Sequence, residues 1–168
     1  MSNLRIAVER RVVESSRKFD DVLASIHAAI GHPDMHAFWK EISATSTYAE
    51  MEGVVHRAIG PSGFMEFTRF DHGQFLKKAQ SATASTATPR IVRIVLGNPL
   101  IMMAMATHVH DAGSYAPVTL LIDERGGGVR LSYDTMASFL AGYEQPEALR
   151  VARDLDSKVE ALMVSAAG

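Results

Sequence analysis

Hydrophobic and polar residues alternate near the start of the chain, which is the pattern of a half-buried β-strand. The apolar positions of residues 4–14 share one side: Leu4, Ile6, Val8 and Val12. The spacing then changes to that of an amphipathic helix, with apolar positions three and four residues apart as far as Ile30. Asp20 is the predicted N-cap of this helix, and Gly31 is its predicted C-cap.

The middle of the chain alternates between short helical and short extended patterns. Residues 32–63 predict two helices, one from Pro33 to about Ile42 and one from Ser46 to Gly60. Weak alternation predicts a strand over residues 64–70, followed by helix over residues 74–80. Residues 81–88 are rich in Ser, Thr and Ala and lack apolar periodicity, so a surface loop is expected there.

The second half of the chain has the clearest pattern. Residues 91–96 are an aliphatic run that predicts an interior strand. Asn98 and Pro99 then form a typical helix start, because Asn caps free N–H groups and Pro fits the first helical position. Residues 100–109 are apolar nearly all round, which predicts a helix buried on more than one side and ended by Gly113.

A hairpin and a long helix complete the pattern. Residues 118–123 and 129–133 predict two strands joined by a turn of three glycines, Gly126 to Gly128. From Pro146 onward, apolar residues repeat at a spacing of four and three, as in a long amphipathic helix. The expected fold is α+β, one domain over residues 1–168, with a single antiparallel sheet of about five strands and helices packed on one face.

These elements and their end motifs resemble the family catalogued as domain of unknown function 302. The resemblance covers roughly residues 5–20 and 64–163, and it is carried by Asp71-His72, Gly97-Asn98-Pro99 and Tyr133-Asp134. It implies a compact fold related to TATA-binding-protein-like or helix-grip architectures, often self-associated, and it implies no agreed activity. Residues 32–63 depart from the family pattern and are interpreted as a helical insertion.

Composition narrows the classes of partner. The net charge of −2 and the lack of a basic block argue against a nucleic-acid-binding protein. No apolar run approaches the roughly 20 residues of a membrane span. The chain has no cysteine, which excludes disulfides and thiolate sites. Without a recognisable targeting segment, the cytoplasm is the expected compartment.

Three places along the chain carry candidate chemistry. His72 follows Asp71 at a strand end, where an imidazole can act as acid or base or can simply pin the turn. Asn98 lies at a helix N-terminus, and Tyr133 offers a hydroxyl, although capping and packing explain both residues as well. Met102 and Met105 suit an adaptable apolar wall or an ordinary core. We expect that a site, if present, lies where the ends at 71–73, 98–99 and 133–134 meet.

The remaining candidates are weaker. Two loose histidine clusters have poor metal-ligand spacing, so no metal and no cofactor is expected: His108, His110 and Asp111, and His32, Met35 and His36. Five arginines on predicted strands form either an anion clamp or a solvated sheet face: Arg5, Arg11, Arg69, Arg93 and Arg130.

Three functions stay open on this evidence. The first is a small-molecule-binding or interaction module with an apolar pocket near His72, taking a small apolar or anionic ligand. The second is an enzyme that uses His72 as general acid or base. The third is a purely structural protein that forms homo-oligomers. A two-fold homodimer is expected from the apolar helix after Pro99, the C-terminal helix and the family resemblance.

Overall fold

A five-stranded antiparallel sheet forms the centre of the protein in a computed structural model that describes residues 5–81 and 90–168. The order of its strands across the sheet is β1-β5-β4-β3-β2. The strands are Arg10–Ser15 (β1), Met65–Asp71 (β2), Ile91–Gly97 (β3), Val118–Arg125 (β4) and Gly128–Asp134 (β5). The predicted α+β class with one antiparallel sheet is confirmed.

Eight α-helices and one short 3₁₀ helix, residues Ala141–Tyr143, are found in the described part of the chain. The α-helices are Phe19–Ala29 (α1), Met35–Ala44 (α2), Tyr48–Ala58 (α3), His72–Ser81 (α4), Pro99–Ala106 (α5), Ala112–Tyr115 (α6), Met136–Leu140 (α7) and Pro146–Ala167 (α8). None of them combines the length and the apolar character that crossing a bilayer requires.

The main core lies between one face of the sheet and helices α1, α5 and α8. Alternate strand residues point into it, as the pleat of a strand requires, and Ile94, Leu120, Ile122 and Leu131 are fully buried. The apolar stripe predicted for α8 is buried against the same face: Ala148, Ala152, Leu155, Val159 and Leu162. A second, smaller cluster joins α2 and α3 to the start of β2: Phe38, Val54, Val55 and Met65.

The opposite face of the sheet is called the open face below. It carries the other alternate residues of the strands, among them Arg10, Arg93, Leu121, Ser132 and Asp134. Tyr115 of α6 and Phe139 of α7 lie at one end of this face.

The predicted hairpin is confirmed as β4 and β5, and β4 also pairs with β3 in the same sheet. Its turn places Gly126 at φ 55° and Gly127 at φ 92°. Two consecutive positive φ angles match the right-handed twist of a tight hairpin, and glycine adopts them without a steric penalty.

The first strand differs from its prediction. It begins at Arg10 rather than at residue 4, because pairing with β5 starts at Arg10 opposite Asp134. Val12 points to the open face and is 41% exposed, whereas its neighbour Val13 packs against the core. Since side chains alternate with a period of two, the face assigned from the sequence was the wrong one.

The ends of two predicted helices also change. Lys18, not Asp20, is the N-cap of α1, and Asp20 instead pairs with Arg90 at 2.7 Å. The C-cap of α1 is Ile30 rather than Gly31. Helix α5 ends at Ala106, and Gly113 lies inside the short helix α6.

Residues 32–63 form the two predicted helices, and α3 begins with a capping box. The Thr47 hydroxyl accepts from the Glu50 amide, while the Glu50 carboxylate accepts from the amide of Thr47. The helix predicted at 74–80 is confirmed within α4. The predicted loop falls almost wholly on residues 82–89, which lie outside the described residues.

Candidate functional site

An apolar cavity of about 150 Å³ lies where β3 ends and α5 begins, and we call it the α5 cavity. Helix α5 supplies Met102 and Met105, and the β3–α5 junction supplies Asn98. Its other walls come from four elements or their flanks: Trp39, Phe67, Pro117 and Leu155. The cavity therefore joins the end of the sheet to α2, α5 and α8.

Helix α5 shapes the cavity because it has no polar face. Its sequence, from Pro99 to Ala106, is apolar throughout. Met105 is fully buried in the main core, whereas Met102 is only partly buried and lies on the cavity wall. Methionine side chains are flexible and polarisable, so this wall can adapt to ligands of different shape.

Asn98 fixes the start of α5 and uses both ends of its amide to do so. Its Oδ1 accepts a hydrogen bond from the Leu100 amide at 2.9 Å, and its Nδ2 donates to the Gly63 carbonyl at 3.0 Å. These bonds tie α5 to the turn before β2. Because the amide is engaged within the protein, it is a positioning group, and the cavity suits an uncharged apolar molecule better than an anion.

Trp39 is the cavity residue that sequence reasoning missed. Its side chain is 49% exposed, and its ring lies 6.4 Å from the ring of Phe67 and 5.0 Å from that of Phe38. The sequence signal was present: Trp39 is the only tryptophan, adjacent to a phenylalanine on an amphipathic helix. Which element it meets follows only from how α2 packs against β2.

His72 lies at the other end of the sheet from the α5 cavity. In the antiparallel pair of β2 and β3, Met65 is opposite Gly97, and Asp71 is opposite Val92. Val92 is five residues from Gly97, or about 17 Å along the strand. The expected meeting of the 71–73 and 98–99 ends is therefore wrong. In two antiparallel neighbouring strands, the C-terminal ends lie at opposite ends of the sheet. A pocket at the helix start next to Asn98 is not near His72.

His72 and its neighbour Asp71 contact residues that are close to them in the sequence. Its ring stacks on Phe70 with centroids 6.1 Å apart and an interplanar angle of 7°. The Asp71 carboxylate accepts from the backbone and side chain of Gln74, which caps α4. The Asp71 carboxylate is thus engaged in starting the helix.

Tyr133 does lie at the same end of the sheet as Asn98, but it is buried. Its side chain is 1% exposed, and its hydroxyl donates to the Asp156 carboxylate at 2.6 Å. The same carboxylate accepts from the amides of Met136 at 2.8 Å and Ala137 at 3.0 Å, at the start of α7. We therefore do not carry Tyr133 into the proposed site.

Burial dominates the electrostatics of this pair. It raises the pKa of the Asp156 carboxyl, against the opposing effect of the hydrogen bonds from Tyr133, Ala137 and Met136. Burial and the nearby Asp156 charge also raise the pKa of the Tyr133 hydroxyl, so Tyr133 stays protonated. These hydrogen bonds connect the start of α7 to α8 and β5.

The other candidate clusters, around His108 and around His32, do not gain further metal-ligand side chains from the fold in the part of the chain that the structure describes. His108 and His110 are exposed in the turn after α5. His32 stacks on His27, with ring centroids 3.7 Å apart. Within residues 5–81 and 90–168, no three His, Asp or Glu side chains are grouped as a metal site would require. That neither metal nor cofactor is bound stays a prediction.

The row of strand arginines divides between the two faces. Arg11 pairs with Glu160 of α8 at 2.8 Å, and Arg69 pairs with Glu66 at 2.6 Å. Arg93 and Arg130 point to the open face. Arg5 lies outside the strands. No single row of five forms.

Comparison with known proteins places the chain in a family. The profile of a family described as "Domain of unknown function DUF302" matches residues 40–166. The chain belongs to the DUF302 family. The match includes α3 and half of α2, both of which lie in the predicted helical insertion at residues 32–63. That insertion stays a prediction.

The fold is shared with a solved DUF302 structure. The crystal structure of an uncharacterized conserved DUF302 protein from Bacillus stearothermophilus superimposes with a TM-score of 0.62 at 11% identity. The match covers 94% of this chain and 97% of that one. No curated protein matches the sequence. These DUF302 comparisons establish family and fold, and they assign no activity.

Proposed function

We propose that this DUF302 protein is a non-catalytic module that binds a small uncharged apolar molecule in the α5 cavity. The main support for this proposal is the cavity itself, which is lined by the side chains of Trp39, Phe67 and Met102 and has little polar surface. An apolar cavity of about 150 Å³ accommodates a molecule the size of one aromatic ring. The enzyme alternative has lost the convergence of His72, Asn98 and Tyr133 on which it depended.

The position of Trp39 makes this proposal directly testable. Since the chain has a single tryptophan, its fluorescence reports on the cavity without interference from other tryptophans. Toluene, titrated in a sealed cell, is expected to change Trp39 emission saturably. In ¹³C-methyl NMR spectra of the same titration, toluene is expected to shift the Met102 methyl signal.

Two phenylalanine substitutions on α5 separate cavity binding from general effects. Met102→Phe puts a larger rigid ring into the cavity and is expected to abolish the saturable response. Met103→Phe is the matched control, because Met103 is the next residue of the same helix and is not among the cavity walls. A linear response to toluene, or equal responses from both variants, would contradict the proposal.

Self-association as a two-fold dimer is a second proposal. Of the two helices that suggested it, only α5 still supports it. The apolar stripe of α8 is buried within the chain, so it is not free for a partner. Helix α5, however, leaves every residue except Met105 partly exposed. A helix this apolar at the surface is typical of an interface. The cytoplasmic location expected from the sequence stays part of the proposal.

Sedimentation velocity tests the dimer at about 10–50 µM protein, where an interface of standard size holds. Met103→Glu is expected to give monomers with an unchanged circular dichroism spectrum. Val164→Glu is the control, because Val164 is 59% exposed on the outer side of α8. A monomeric wild-type protein at these concentrations would dismiss the dimer.

A further inference from the structure

A cleft of about 390 Å³ lies on the open face of the sheet. It differs from the α5 cavity in most of its lining residues and in having charged side chains among them. Its floor includes Leu121 and Ser132, and the stacked rings of Tyr115 and Phe139 close one end. Arg93 and the ion pair of Arg10 with Asp134 complete it. Its size falls in the range of about 300–1,000 Å³ that is usual for small-molecule sites.

One positive charge of this cleft is uncompensated. Arg10 forms a two-bonded pair with Asp134, at 2.6 and 2.8 Å, so each neutralises the other. Arg93 donates to the Thr119 hydroxyl at 3.1 Å and lies 5.8 Å from the centre of the Phe70 ring. In the part of the chain that the structure describes, no carboxylate forms an ion pair with Arg93.

The surroundings hold Arg93 without neutralising it. Thr119 occupies one guanidinium nitrogen and the Phe70 ring lies nearby, which together restrict the side chain. The remaining N–H donors have the planar arrangement that matches a carboxylate. An anion bound there would meet a partly ordered guanidinium.

The aromatic end of the cleft supplies a second, different contact. The rings of Tyr115 and Phe139 stack with centroids 4.8 Å apart at 9°. The Tyr115 hydroxyl is hydrogen-bonded to the Tyr143 hydroxyl at 2.9 Å, which fixes the orientation of the ring. A flat apolar group can pack against this wall and against Leu121.

From this combination we infer that the open-face cleft binds a small aromatic monocarboxylate, with the carboxylate on Arg93 and the ring against the Tyr115–Phe139 wall. The single uncompensated charge selects a monoanion over a dianion. The apolar floor and the stacked wall select a ring over an inorganic ion. This site is independent of the one proposed in the α5 cavity.

Benzoate is the probe, and amide signals followed by NMR at low salt locate it. Benzoate is expected to shift Thr119, Leu121 and Ser132 saturably and to leave the Met102 methyl signal in place. Benzyl alcohol keeps the ring without the charge, and inorganic phosphate keeps charge without the ring. Each is expected to bind at least about ten-fold more weakly, since each loses one of the two contacts.

Arg93→Gln is expected to weaken benzoate binding by about ten-fold or more, as loss of a charge-assisted hydrogen bond predicts. Arg11→Gln is the matched control, because Arg11 is a strand arginine whose partner is Glu160 on the helical side of the sheet. Should Arg93→Gln fold poorly, Arg93→Lys keeps the charge but loses the paired donors, and an intermediate affinity is expected.

Three outcomes would overturn the inference. One is equal benzoate affinity for the wild-type and the Arg93 variants. Another is phosphate binding as tight as benzoate binding, which would make the site an anion site only. The third is benzoate shifts confined to the Met102 region, which would assign the binding to the α5 cavity instead.

Discussion

At the scale of single residues, the most consequential group is a carboxylate that the amphipathic pattern of α8 does not reveal. Asp156 lies on the buried stripe of α8 and is only 7% exposed. A charge in that position is tolerated because donors from Tyr133, Met136 and Ala137 surround it. The stability of the protein should therefore depend on the protonation of this one group.

Replacing Asp156 with Asn is expected to lower the free energy of unfolding by about 1–3 kcal/mol at neutral pH, because the amide nitrogen accepts no hydrogen bond. The pH dependence has a definite sign. Since the folded-state pKa of Asp156 is raised, the folded protein holds its proton more tightly than the unfolded chain. The contribution is present below the unfolded pKa of about 3.9 and is lost as pH rises through the folded pKa.

Urea denaturation of both proteins from pH 4 to pH 7 measures this effect. The stability advantage of the wild-type over Asp156→Asn is expected to shrink as pH rises. A difference that grows with pH would mean that the carboxylate is favoured, not penalised, by its site. Glu160 is a nearby acid that also raises the pKa of Asp156, so Glu160→Gln should move the transition to lower pH.

Gly31 is required because two segments of backbone approach closely there. A Cβ atom at this position would lie 1.9 Å from the Ala58 carbonyl oxygen. The Gly31 amide also donates to the Phe64 carbonyl at 2.8 Å, which prevents a simple shift. Gly31→Ala is expected to cost about 1–3 kcal/mol or more.

Gly53 provides the control for that substitution. It lies within α3, and a Cβ there would touch only the Arg57 side chain, at 3.6 Å. Gly53→Ala is therefore expected to stabilise the protein by about 0.5–1 kcal/mol, since alanine favours helix. Thermal unfolding of the two variants, measured together, should move in opposite directions. A harmless Gly31→Ala would show that α1 and α3 do not pack this closely.

At the scale of elements, the Asn98 cap couples the start of α5 to the turn before β2. Asn98→Ala removes the acceptor for the Leu100 amide and the donor to the Gly63 carbonyl, and we expect a loss of roughly 2 kcal/mol. Asn98→Asp keeps the acceptor and loses only the donor. Chemical denaturation should place it between alanine and the wild-type, and equal losses would assign the whole effect to the bond with Gly63.

The elements themselves were largely predictable, because each is specified by its local sequence. The Asn98-Pro99 helix start, the Gly126-Gly127 turn and the stripe of α8 carry their own chemistry, and all three appear as expected. The face of β1 was not predictable, since both Val12 and Val13 are apolar and only pairing with β5 decides between them.

The candidate site was predictable only in part for a related reason. Asn98, Met102 and Met105 lie close in sequence and stay together on the α5 cavity. Trp39 and Phe67 reach it through long-range packing, which periodicity does not encode. His72 was assigned to the wrong end of the sheet, because a motif at a strand end does not indicate whether that strand runs parallel or antiparallel to its neighbour.

At the scale of the whole molecule, the two hydrophobic clusters differ greatly in size. The main cluster involves the sheet with α1, α5 and α8, whereas four buried residues hold α2 and α3 to β2. Stability follows the apolar area that an opening exposes, so a unit with a small cluster opens at a lower free energy. We expect α2 and α3, and Trp39 with them, to open locally while the main sheet stays folded.

Native-state hydrogen exchange with two valine-to-alanine variants tests this difference. Val55 is fully buried in the small cluster and Val159 is fully buried in the main one, and each change should cost about 1–3 kcal/mol. Val55→Ala should accelerate exchange in α2 and α3 and in the slowest amides alike, because both openings break its contacts. Val159→Ala should accelerate only the amides of α8 and the central strands, since α8 remains packed when α2 and α3 open. If Val159→Ala accelerates α2 and α3 equally, those helices exchange by global unfolding. In that case the Trp39 side of the α5 cavity would be as rigid as the sheet, and a ligand would have to enter without local opening of α2.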